Sequence, residues 1–165
     1  MSVTDKYFIE GHEKFKKDPF KKMSEIDYFS EVKLDEIESA LRTISTVQFT
    51  SIWDFLKQVE SLETWIMFRD WEELDELVVY ERLTQNAKPV GVLYLVTERS
   101  HREKRGGIRI DSCNLEKYIG EHLDIYNECF FNLDTLIFSI KQGMAWILHH
   151  EGAFTVASKI FKHDD

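Results

Sequence analysis

Two cysteines, two prolines and seven glycines are all this 165-residue sequence holds of the residues that staple, kink and loosen a chain. Cys113 and Cys129 are too few for a disulfide framework, so a reduced, cytoplasmic setting is the expectation. With so little proline and glycine, long irregular loops should be rare. No apolar run approaches the roughly 20 residues that cross a bilayer. The opening "MSVTDKYFIEGHEKFKKD" is polar and charged, without the apolar stretch of a secretory leader. Neither a Gly-x-Ser-x-Gly elbow nor a Gly-x-x-x-x-Gly-Lys-Ser/Thr loop occurs, which removes the two commonest signatures of nucleophilic and phosphate chemistry. Positive charge is also scarce. The net charge is −9, which argues against a general nucleic-acid binder, since phosphate contacts need lysine and arginine.

What is present is core material. Hydrophobic residues make up 43% and aromatics 13%, including 12 Phe and 4 Trp, enough for one well-filled domain over residues 1–165. The charge is uneven. Residues 1–24 carry six lysines against four acids and read as a looser basic arm interrupted by Pro19. Residues 25–88 hold fifteen acids against six basic residues, a balance equal to the whole net charge of −9.

Along the chain, Leu34, Ile37, Leu41 and Ile44 recur at helical spacing, with Ser30 as the expected cap. Ile52, Phe55, Leu56, Val59 and Leu62 repeat the pattern. "TWIMFRD" reads as a short strand, and "LVVYERL" with "PVGVLYLVTER" reads as a β-hairpin around "TQNAK", Pro89 standing at the start of its strand. "SHREKRGG" is a charged loop and "IRIDS" another strand. Asn114 then caps a helix on which Leu115, Tyr118, Ile119, Leu123 and Tyr126 share a face. "TLIFSI", "MAWILHH" and "AFTVASKIF" form a meander, with a tight turn at Glu151–Gly152. The expected architecture is α+β: N-terminal helices packed on a mostly antiparallel β-sheet with a C-terminal β-meander.

Most candidate sites have a plain explanation. His149, His150 and Glu151 adjoin, but neighbouring strand residues point to opposite faces and the i, i+4 spacing of a helical zinc site is missing, so a hairpin-end surface is expected and no metal. His101, Arg102, Lys104 and Arg105 beside Gly106 and Gly107 resemble a phosphate cradle only in composition, and a solvated loop tip suffices. Cys129 has aromatic neighbours and is expected to be buried and inert, and Cys113, at a strand-to-helix junction, is given a structural role. Asp111 follows an apolar strand and is a possible metal-binding acid, but no lysine partner is identifiable. No catalytic residue and no cofactor is assigned.

The remaining feature is "RDWEELDELVVYERL", residues 69–83, with Asp70, Trp71, Glu72, Glu73, Asp75, Glu76 and Glu81. Read as a helix, it puts Trp71, Leu74 and Val78 on one face and its carboxylates outward, an ordinary solvated surface. Yet like charges at i, i+3 and i, i+4 repel, and only Arg69 and Arg82 compensate. A face that docks a cationic partner would tolerate that cost, with Trp71 as an aromatic anchor. These seven residues are therefore taken as the partner-binding face.

With the 69–83 run and the tryptophans Trp53, Trp65 and Trp71, this small, acidic, aromatic-rich chain resembles the immunity proteins of bacterial toxin–immunity systems, including contact-dependent growth inhibition. The resemblance is one of type and implies a monomer that forms a one-to-one complex with a cognate toxin domain, often a basic nuclease, covering its active site or substrate surface. It implies no enzyme activity, no direct contact with nucleic acid and no membrane. The basic arm and the "HREKR" segment depart from it, because they would repel such a partner. A toxin could instead add a strand to a free sheet edge. A small hydrolase or metal-binding enzyme with a scattered site, an acidic adaptor that mimics DNA, and an oligomer subunit remain the rival readings.

Overall fold

A computed structural model describes residues 28–102 and 106–163. The expected basic arm, residues 1–24, lies outside the described residues, as does the 103–105 part of the "HREKR" segment. Among the described residues, seven strands form one sheet: β1 (Phe29–Val32), β2 (Ile66–Met67), β3 (Val92–Val96), β4 (Gly107–Asp111), β5 (Thr135–Ser139), β6 (Met144–His149) and β7 (Ala153–Ala157). Their order is β1-β4-β3-β5-β6-β7-β2, and every neighbouring pair is antiparallel. The helices are α1 (Leu34–Ile44), α2 (Ile52–Leu62), α3 (Glu76–Thr84), α4 (Glu98–Arg102) and α5 (Leu115–Tyr126). The α+β class and the C-terminal meander β5–β6–β7 are thus as expected.

Helices cover both faces of the sheet. Along β5 and β6 successive side chains go to opposite sides, the period-two alternation of a strand. Leu136, Phe138, Ala145 and Ile147 meet Ile37, Leu41, Phe55 and Val59 of α1 and α2. Ile137, Trp146 and Leu148 meet Val79, Tyr80 and Leu83 of α3 and Tyr118 and Ile119 of α5. Every residue of β5 is buried, which explains why its sequence is nearly continuous in apolar residues. Trp146 is fully buried, and its indole N–H donates to the Ala87 carbonyl at 2.7 Å, so the largest core side chain leaves no polar atom unsatisfied.

Local chemistry sets the helix starts. Ser51 caps α2 by accepting from the Asp54 N–H at 3.2 Å. Ser30 does not cap α1. It pairs with Arg109 inside β1, and α1 begins after Lys33 with Asp35 and Glu36 in its first turn. Asn114 precedes α5 but makes no side-chain cap. Asp111 takes that work one turn earlier, accepting from the Cys113 N–H at 3.0 Å. On α5 the buried stripe is Leu115, Tyr118, Ile119, His122 and Ile125, while Leu123 is half exposed.

The hairpin expected around "TQNAK" does not form. Its first arm is α3, despite two valines and a tyrosine in sequence. Asp75 caps it by accepting from the Leu77 N–H at 2.9 Å, and Val79, Tyr80, Leu83 and Thr84 enter the core at helical spacing. Packing on the sheet overrides the β preference of those residues. The second arm is β3, which pairs with β4 and β5 instead. Pro89 stands just ahead of it. "TWIMFRD" keeps only the two residues of β2 as strand, paired with β7 at the sheet edge.

The β6–β7 turn rests on a close approach. Gly152 has φ +77°, and a β-carbon there would lie 2.8 Å from Trp71 Cδ1 and 2.9 Å from the Phe68 carbonyl oxygen. The Phe68 N–H donates to the Gly152 carbonyl, which ties this turn to the segment after β2. Gly152→Ala should therefore lower the urea midpoint of unfolding, by about 2 kcal/mol or more of stability, because both the backbone conformation and the contact with Trp71 resist a side chain.

Candidate functional site

The acidic run folds into two parts. Asp70 adopts the left-handed conformation (φ 58°), Trp71–Glu73 form a single 3-10 turn, and α3 starts only after Asp75. Asp70, Glu72, Glu73, Asp75 and Glu81 are exposed. Trp71 is not: at 6% exposure it packs with Phe68, Leu148 and Phe154 in the core. The expectation that it anchors a partner is corrected, because the 3-10 turn points the indole inward against Gly152. Glu76 is also turned inward. Its carboxylate accepts from the Phe131 N–H at 2.9 Å, and burial raises its pKa above the ordinary carboxylate range. Asp75 is committed as the α3 cap. The expected run of seven partner-binding residues thus keeps Asp70, Glu72, Glu73 and Glu81 as free exposed acids, while Trp71, Asp75 and Glu76 hold the fold.

This acidic turn adjoins a sheet edge. β2 is the last strand in the order, so one of its sides pairs with no other described strand. Ile66 and Met67 on it are 52% and 65% exposed, and Leu62 at the end of α2 is 51% exposed. Arg69, Asp70, Glu72 and Glu73 line an open depression together with Met67, His150 and Glu151.

The histidine pair therefore lies beside the acidic turn. Strand alternation was expected to separate the two imidazoles, but His149 is the final residue of β6 and His150 already belongs to the turn, so alternation no longer applies. The ring centroids are 4.0 Å apart and tilted by 35°. His150 Nδ1 lies 2.8 Å from Asp134 Oδ1, and the same oxygen accepts from the His150 N–H at 2.8 Å. His149 Nε2 lies 3.3 Å from Glu60 Oε1 and 3.9 Å from Asp134 Oδ1. The hydrogen bond that the His150 ring donates to Asp134 and the nearby charges of Asp134, Glu151 and Glu60 raise the His150 pKa above its ordinary value. Trp65 flanks His149 with ring centroids 6.2 Å apart. Asp134 and Glu60 carried no signal in the sequence, since each reaches the histidines only through the packing of the β5 approach and α2 against the hairpin end.

The other candidates dissolve into structural roles. Asp111 is an exposed cap whose bond to the Cys113 N–H lowers its pKa, and its carboxylate in turn raises that of the Cys113 thiol. Cys129 is exposed rather than buried: the aromatic neighbours Phe130 and Phe131 turn into the core while the thiol stays outside. Glu98–Arg102 form α4, which takes Glu98 and Arg99 from the expected strand and Ser100–Arg102 from the expected loop, with His101 packed edge-on to Trp53 at 4.5 Å and Arg102 paired with Glu128. His122, which drew no attention in the sequence, is 2% exposed among Tyr118, Tyr126 and Phe130. Neither ring nitrogen has a hydrogen-bond partner among the described residues. It borders a partly open pocket of about 20 Å³ with Glu31, Arg99, Ser100 and Tyr126, space for a single water-sized molecule.

No family model, curated protein or solved structure matches this chain. No described helix is long and apolar enough to cross a membrane.

Burial pushes the His122 pKa down to about 4, with the Arg99 charge acting in the same direction. The unfolded chain takes up this proton near the ordinary histidine value and the folded chain only near the lower one. The contribution of His122 is therefore fully present at neutral pH and is lost as pH drops between the two values, about 3 kcal/mol in all. His122→Phe should flatten that slope in denaturation curves taken from pH 7 to pH 4.

Proposed function

We propose that this protein is a binding protein of the immunity type, which captures a basic toxin domain one to one and covers its active or substrate-binding surface. The observation that carries the reading is the junction of an acidic turn with a sheet edge that pairs with no other described strand. Asp70, Glu72 and Glu73 stand exposed beside β2, whose Ile66 and Met67 are open to solvent.

An unpaired edge is a hazard, since it can pair with another copy of the same chain. Here the flanking carboxylates repel a second copy and attract a cationic segment. A basic partner strand laid along β2 would gain main-chain hydrogen bonds from the edge and apolar contact with Ile66, Met67 and Leu62. Its lysines and arginines would meet Asp70, Glu72 and Glu73. Charge of this kind speeds encounter and sets specificity, while the apolar contact slows release. The buried Trp71 supports the arrangement from beneath by fixing the turn.

The same reading accounts for the lack of nucleophile and phosphate-loop motifs without assigning an activity. A cytoplasmic place of action, where a toxin's targets lie, belongs to this proposal.

Capture from the source cell, using this protein as bait at low and high salt, tests it. The expected prey is a single basic toxin domain released by salt, whose expression kills cells unless this protein is co-expressed. Glu72→Lys with Glu73→Lys should weaken that complex at least tenfold and flatten its salt dependence with the fold intact, and Met67→Asp should weaken it independently. Glu76 is left alone, because reversing it would break its bond to Phe131. Unchanged affinity in both variants would place the interface elsewhere.

A further inference from the structure

We propose that His149, His150, Asp134 and Glu60 form a binding site for one divalent cation of the zinc class, which staples the β6–β7 hairpin end to α2 and to the segment entering β5. This inference does not rest on the immunity reading. One ligand atom from each of Asp134, His149 and His150 lies within 4.8 Å of the other two. Glu60 Oε1 lies 3.3 Å from His149 Nε2 but outside that set of three, and it joins as a fourth ligand only when its side chain swings toward the other two.

The spacing suits a tetrahedral centre. Bonds of about 2.0–2.1 Å put tetrahedral ligand atoms about 3.3 Å apart. Within the set of three the separations are 2.8 Å for His150 to Asp134 and 3.9 Å for His149 to Asp134, with His149 to His150 within 4.8 Å, so these three bracket the tetrahedral spacing, while Glu60 starts 3.3 Å from His149 and has to move to close the set. Glu60, whose side chain is 53% exposed, has room to do so. Two imidazoles with two carboxylates favour zinc over calcium or magnesium, which take oxygen donors. With Glu60 drawn in, four protein donors fill a tetrahedron and leave no open position, which makes the proposed role structural.

The surroundings fit. Glu151 Oε2 lies 4.0 Å from His149 Nδ1, placed to hold that ring once Nε2 is coordinated. His149 Nδ1 accepts from the Glu151 N–H at 3.3 Å, so coordination at Nε2 requires the tautomer to reverse, with Nδ1–H donating to the Glu151 carboxylate. The exposed acids of the neighbouring depression add to the local negative potential. Residues 60, 134 and 149–150 are far apart in the chain, so a cation joining them restrains long loops of the unfolded state.

The test is isothermal titration of the chelator-treated full chain with Zn²⁺. One ion per chain is expected, with the melting temperature raised by about 5–10 °C at a hundredfold excess over the dissociation constant. His149→Ala and His150→Ala should each weaken uptake at least tenfold, and His101→Ala should leave it unchanged. Asp134→Asn, which keeps the side-chain shape, should weaken it as well, a safeguard if a histidine variant unfolds. The ¹⁵N resonances of His149 should report the tautomer reversal on addition of Zn²⁺. No saturable uptake, or uptake unaltered when both histidines are replaced, would overturn the proposal.

Discussion

Two-sided burial of the central strands is the constraint on which the molecule depends. β5 and β6 alternate their side chains between the two faces, and nearly all of those side chains are apolar. A sheet of that kind cannot leave either face in water without exposing several large residues, each contributing roughly 1.5–3 kcal/mol when buried. One helical layer would therefore not suffice. The pair α1 and α2 covers one face, and α3 with α5 covers the other. The position of every candidate site follows from where these layers stop and leave strand ends and edges exposed.

The acidic turn shows how the demand for burial sorts a charged segment. Trp71 and Glu76 are drawn inward, one to fill the core and the other to satisfy the Phe131 N–H. Asp75 is used at a helix start. What remains outside is a smaller set of acids than the sequence displays, but one concentrated beside β2 and the hairpin end. Gly152 makes that convergence possible, because only a residue without a side chain lets the hairpin turn approach Trp71 so closely. Histidines, carboxylates and a sheet edge with no partner among the described strands thereby share one end of the molecule.

His122 and the His149–His150 pair place the same side chain in opposite settings. His122 sits in aromatic surroundings that disfavour its charged form. His150 is held by a carboxylate that favours it. Each environment is only partly local: Tyr118 and Tyr126 flank His122 on its own helix and Glu151 adjoins His150, but the remaining groups come from other elements. Arg99 reaches His122 from α4, and Asp134 reaches His150 from the entry to β5.

Local pattern determined a good deal by itself. The apolar spacing of α1 and α2, the alternating or continuous apolar runs of β3 to β7, and the Glu151–Gly152 turn are short-range signals, and short-range physics is what a sequence displays directly. Residues 76–84 went the other way. Val78, Val79 and Tyr80 favour a strand, and only the cap at Asp75 and the cover needed over Trp146 and Leu148 make a helix of them. Tertiary structure likewise decided that Trp71 is core, that Cys129 is exposed, and that Glu60 and Asp134 join the two histidines. Those outcomes depend on which surfaces meet once the layers pack, and local pattern does not specify that.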